Sequence, residues 1–197
     1  MNEIADRYRR RAETFEAKVA AVRPEQWSSP SPCAQWDARD VVAHIVDMHA
    51  VILGPLGRAL SPAPSVKEDP LAAFRAARAD IEALLADPDL AATVYDTPAG
   101  RMSAARHVDQ VPSADLPLHG WDLAKATGQD ATIDAEDLRM SWESVSGLPP
   151  DLLERFRTPG AFGPGVEVFG PEVEVAPDAP LQDRLLGLIG RDPHWTA

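Results

Sequence analysis

In Asp115-Leu-Pro-Leu-His-Gly-Trp-Asp-Leu-Ala-Lys-Ala-Thr-Gly128 an aspartate and a histidine stand four apart, inside a run that reads as helix as far as Gly128. On a helix, Asp115 and His119 project from one face a turn apart, the spacing that lets a carboxylate and an imidazole share a metal ion. Asp122 extends that face by three. The helical region covers about 103–127 and is interrupted, because Pro112 should break or kink it and Ser113 can cap a fresh start. Pro117 then forfeits only the first hydrogen bond of the new segment.

Upstream, Asp37 followed by Asp40 resembles an N-cap with acidic support in the first turn, so a helix should begin there. It should run to about Leu53, where Gly54-Pro55 ends or kinks it. Its apolar stripe is Val41, Ile45, Met48 and Ile52, and His44 lies at the stripe's edge, pointing into the bundle rather than to water. Two facing helices can thus bring His44, Asp115 and His119 together. His49 flanks the same stripe and is the competing choice. The same residues also fit a solvated i,i+4 pair beside a hydrogen-bonded core histidine.

Farther out, Ile4, Tyr8, Ala12, Phe15, Val19 and Val22 form the stripe of an amphipathic helix over residues 2–22, ended by Pro24. The arginines at 9–11 read as part of its solvated face. Leu71, Phe74, Ile81, Leu84 and Leu85 sketch a third helix ending near Pro88, and Thr93 to Ser103 suggests a hairpin or tight loop. Helices are expected from Asp134 to about Val145, at 150–157 and at about 180–189, the last closed by Gly190 and Pro193. Between the last two lies a tandem duplication, Phe162-Gly-Pro-Gly-Val-Glu-Val168 followed by Phe169-Gly-Pro-Glu-Val-Glu-Val175. Two copies are too few for a solenoid, so a locally duplicated loop is expected, with an edge that pairs with another chain as the sharper alternative.

Nineteen basic against thirty-one acidic side chains give a net charge of −12, which repels nucleic acid and anionic lipid surfaces. The start MNEIADRYRRR lacks the apolar stretch of a signal peptide, and no run approaches the roughly 20 apolar residues of a membrane span, so a cytoplasmic protein is expected. The single cysteine, Cys33, excludes an intrachain disulfide and a cysteine zinc cluster. It reads as a buried free thiol, with a reactive thiol ahead of a helix N-terminus as the alternative. Trp36 and Trp121 read as core, or as lining of a pocket mouth. His107 and His194 have no pattern around them and read as surface residues.

Ser31-Pro-Cys-Ala-Gln-Trp-Asp-Ala-Arg-Asp-Val-Val-Ala-His-Ile-Val46 and the stretch from Asp115 to Gly128 resemble the two motifs of the DinB-like, mycothiol-dependent maleylpyruvate isomerase superfamily. The tail, with Phe169-Gly-Pro171, Asp178-Ala-Pro180 and Gly190-Arg-Asp-Pro193, resembles an actinobacterial branch of uncharacterised members. The resemblance implies an all-α DinB-like four-helix bundle over residues 1–130, with a small C-terminal α/loop appendage over 131–197 packed on it. It implies one divalent metal, zinc or nickel, held by His44, Asp115 and His119. Asp122, taken by itself, reads as orienting His44 or His119 through a ring N–H, or as capping local backbone. Asp115 stands where the isomerase has the longer glutamate.

Three protein ligands leave positions open, the pattern of a catalytic site. The implied function is a metal-dependent transferase or isomerase that uses mycothiol or a similar thiol on a small electrophilic molecule. Metal-activated water is the other use of such a site. The rival is a non-catalytic bundle that binds a small ligand or a protein partner, in which any metal is structural. A homodimer is compatible with either reading.

Overall fold

A computed structural model describes residues 3–162 and 168–197, which are helical apart from one two-stranded hairpin and the connecting loops. The chain divides into two compact units, the first ending at Ala131 and the second running from Thr132 to Thr196. Among the described residues no helix is long and apolar enough to cross a membrane.

The first unit is a four-helix bundle. Helix α1 (Glu3–Ala20) buries Tyr8, Ala12, Phe15 and Val19 as its stripe requires. Helix α2 (Ala38–Leu53) begins at the expected cap: the Asp37 carboxylate accepts the Arg39 and Asp40 N–H groups while the Asp40 side chain accepts the Asp37 N–H. Such a cap is worth about 1 kcal/mol and fixes where α2 starts, hence where His44 falls. Helix α3 (Pro70–Ala86) and the short α4 (Pro88–Ala92) lead to strands β1 (Val94–Thr97) and β2 (Gly100–Ser103), paired antiparallel from Val94↔Ser103 to Thr97↔Gly100. Helices α5 (Ala104–Gln110) and α6 (Pro112–Thr127) follow. Helices α1 and α2 each pack on both α3 and α6, closing a ring around Phe15, Ile45, Phe74, Ile81, Leu84, Leu116 and Leu123.

Several expectations need correction. The break between α5 and α6 falls at Val111 (φ −115°, ψ −90°), and Pro112 itself opens α6, where its missing N–H costs nothing, so Ser113 is not the cap and Pro117 lies inside the helix, beyond its first bond from the Asp115 N–H to the Val111 carbonyl. Arg11 is not solvated: it lies on the α1 stripe between Tyr8 and Phe15 and is 5% exposed. In α2, His49 occupies the buried stripe while Met48 is only half-buried. His107 is buried on α5, and its Nδ1 lies 2.9 Å from the Tyr95 hydroxyl on β1. His194 is exposed, as expected. Helix α6 stops at Gly128, whose left-handed φ of +68° only glycine adopts without strain.

In the second unit Asp134 caps α7 (Ala135–Ser146), which packs on α9 (Leu181–Leu188), and α8 (Pro150–Arg157) lies between them in sequence. The second copy of the duplication runs against α9, with Gly170 N–H donating to the Ile189 carbonyl and Val173 N–H to that of Gly187. That approach needs glycine, since a Cβ on Gly187 would stand 2.6 Å from the Val173 oxygen. Phe162 and Phe169, equivalent positions of the two copies, both pack on Phe156, with ring centroids 5.0 and 5.3 Å away. Residues 163–167 of the first copy lie outside the described residues, and 168–175 form no strand.

Candidate metal centre

The segment before α2 is a tight loop: Ser31 N–H donates to the Trp36 carbonyl at 2.9 Å and Trp36 N–H to the Cys33 carbonyl at 3.1 Å. Closing it puts Gln35 in the left-handed region at φ +68°, a strain of about 1 kcal/mol for a residue with a Cβ. The turn aims Trp36 at the meeting of α2 and α6. Its ring lies 5.0 Å from that of His44 and 5.8 Å from that of His119, the latter nearly parallel to it. Trp36 is half-buried and packs against the core as well as beside the two histidine rings, while Trp121 is buried, 2% exposed, as expected of core.

His44 from α2 and Asp115 and His119 from α6 converge, each offering a donor atom within 4.8 Å of the others. The two imidazole rings lie 4.6 Å apart, edge to face. His44 Nε2 and Asp115 Oδ2 are 3.7 Å apart, too far for a hydrogen bond, so these donors do not satisfy each other. Two donors at ~2.1 Å from one tetrahedral ion stand roughly 3.4 Å apart, and the 3.7 Å between His44 Nε2 and Asp115 Oδ2 is close to that value. The His44 and Asp115 side chains are 24% and 30% exposed, which leaves the group open on one side.

Asp122 is fully buried, and its Oδ2 lies 2.9 Å from His119 Nδ1. The carboxylate charge favours the tautomer with the proton on Nδ1 and leaves the Nε2 lone pair for a ligand role. The same oxygen accepts the Cys33 thiol at 3.2 Å. Asp122 therefore sits with His119, not with His44, and it ties the loop before α2 to α6. Cys33 Sγ, His119 and Asp122 form a second group of close donors. Nothing in the sequence signals the contact between Cys33 and Asp122, which spans 89 residues.

His49, the competing histidine, is excluded. Its Nε2 accepts the Tyr8 hydroxyl at 2.7 Å and its Nδ1–H donates to the Ile45 carbonyl at 2.6 Å, so both nitrogens are engaged in the core. Burial lowers its pKa to about 4, against the opposing pull of the Ile45 hydrogen bond.

Residues 8–139 match the family described as the mycothiol maleylpyruvate isomerase N-terminal domain. Two uncharacterised proteins from strains of Mycobacterium tuberculosis are each 29% identical over 187 residues, covering 93% of this chain and 95% of theirs. A crystal structure of the mycothiol-dependent maleylpyruvate isomerase superimposes with a TM-score of 0.60 at 14% identity, covering 98% of this chain and 90% of that one. A mutant of that isomerase gives 0.55 at 13% identity, over 94% and 87%. At such identities the structural likeness is one of fold.

Proposed function

Because the chain belongs to the mycothiol maleylpyruvate isomerase N-terminal domain family, we propose that it is a metal-dependent enzyme that uses mycothiol or a similar low-molecular-weight thiol on a small electrophilic substrate. The observation that carries this reading is the convergence of His44, Asp115 and His119 on one open point, inside the part of the chain that matches the family. These three residues would hold the metal, zinc or nickel. A divalent cation held there would supply Lewis acidity, which stabilises a bound thiol as its thiolate at neutral pH.

The chain's own residues do the rest. The Asp115 carboxylate offsets part of the cation's charge, and Asp122 keeps His119 turned to present one nitrogen. The Trp36 indole covers one side of the imidazoles, shuts out water there and bounds the space where thiol and electrophile would meet. Release of the thiol afterwards makes the reaction an isomerisation, and its retention makes it a transfer.

The reading is tested on cobalt-substituted protein. Addition of mycothiol or a close analogue is expected to produce a thiolate-to-metal charge-transfer band in the visible or near-ultraviolet spectrum. Asp115→Asn should weaken the response, because a neutral amide ligates poorly, whereas Asp115→Glu should keep the metal. A spectrum that no thiol alters, with hydrolysable substrates turned over, would replace thiol activation by water activation. If neither occurs with the metal bound, the chain is a binding bundle.

Asp122 provides a separate expectation. Asp122→Asn keeps the shape but removes the charge beside His119 Nδ1, so metal affinity should fall roughly 10–100-fold while the fold persists. Equal metal affinity in the folded variant would show that His119 needs no such partner.

A further inference from the structure

Arg11 is a nearly buried cation, 5% exposed, that the proposed mechanism does not use. It leaves α1 and crosses to α6, where its Nη1 donates to the Ser113 carbonyl at 3.0 Å and lies 3.2 Å from Ser113 Oγ. In an unbroken helix that carbonyl would accept the N–H of residue 117. Residue 117 is proline, inside the helix, and has no N–H to give.

We infer that Arg11 is a positioning residue for Asp115: its guanidinium supplies the hydrogen bond that Pro117 withholds, and thereby fixes the turn of α6 that carries Asp115 toward His44. That turn depends on outside support. It follows the break at Val111, so α5 does not extend into it as a rigid rod, and it opens with Pro112. The Asp115 N–H does return to the Val111 carbonyl at 3.0 Å, but Val111 is the break residue itself. Ser113 sits two positions before Asp115, between the break and the second proline. A charged donor makes a stronger bond than the amide it replaces, and α1 is anchored by Tyr8 and Phe15 on either side of Arg11. The consequence for the metal rests on the function proposed above; the consequence for the α6 turn does not.

The test is a double-mutant cycle on the full chain with Arg11→Met and Pro117→Ala. Alanine at 117 restores the missing amide proton and makes the Arg11 bond to Ser113 redundant. Cobalt titration is expected to show affinity falling roughly tenfold or more on Arg11→Met with proline at 117, but by less than roughly threefold with alanine there. Hydrogen exchange of the Asp115 and Leu116 amides should accelerate in the same pattern, and this readout needs no metal. Equal losses in both backgrounds, or none in either, would overturn the inference, since Arg11 would then act through the bundle at large or not at all. If Arg11→Met alone does not fold, recovery in the double variant supports the inference and failure to recover overturns it. A wild-type chain that takes up no cobalt defeats the metal reading alone, and the exchange data then decide the role of Arg11.

Discussion

Replacing His119 by alanine is expected to lower the affinity of the chain for a divalent cation roughly 100-fold or more, beyond the cost of losing an outer partner. His119 is the shared element of the site. It meets His44 and Asp115 on one side and Asp122 on the other, and Trp36 lies across its ring. Without it two donors remain, on different helices, and the buried Asp122 charge loses a neighbour. His44→Ala should act in the same direction, whereas the exposed His194 can be replaced without effect on metal content. The measurement is elemental analysis of purified protein together with cobalt titration, with thermal unfolding recorded to show that the variants are folded. His119→Asn, closer in volume, guards against a collapse of the packing under Trp36. Stoichiometric metal retained in folded His119 and His44 variants would place the ion elsewhere.

The parts of this fold that could be read in the sequence are those set by local chemistry. Asp37 with Asp40, Asp134 and Gly128 fix helix ends through bonds within four residues, so the sequence carries them in full. The i,i+4 relation of Asp115 and His119 is of the same kind. Its partnership with His44 is not, because spacing alone left His49 as a competing candidate. The choice between the two is made by Tyr8, which reaches across from α1 and takes the His49 nitrogen.

Arg11 is a different case. Its burial follows from the stripe phase, three after Tyr8 and four before Phe15, and a reading by charge run overrides that signal. The carbonyl freed by Pro117 is equally legible, but which distant donor fills it is not. Cys33 against Asp122 is a contact between a loop and a helix far apart in sequence, and no local rule points to it. Likewise Tyr95 hides His107 only once the hairpin folds back on α5.

The stability of the bundle should fall steeply as the pH drops from about 6.5 to about 4, and His49 should account for up to about 3 kcal/mol of the loss. Burial lowers its pKa to about 4 in the folded chain, since a charged imidazole there would lack water, and the Ile45 hydrogen bond and the charges of Asp115 and Asp80 oppose that shift only in part. In the unfolded chain the ring takes up a proton at its ordinary value near 6.5. Below that value the unfolded state gains a proton that the folded state refuses, so the His49 contribution is complete above about pH 6.5 and is gone below about pH 4. Carboxylates titrate at the lower edge of this window, and the buried His107, also shifted down by burial, contributes with the same sign. The difference between wild type and His49→Gln isolates the one residue. Glutamine keeps a hydrogen-bonding side chain and cannot titrate. Urea unfolding at a series of pH values should show a shallower slope for the variant across this range, and parallel curves would mean that His49 is protonated in the fold. Tyr8→Phe completes the argument: it strands the Nε2 acceptor without its donor, at a cost of about 1–3 kcal/mol at neutral pH.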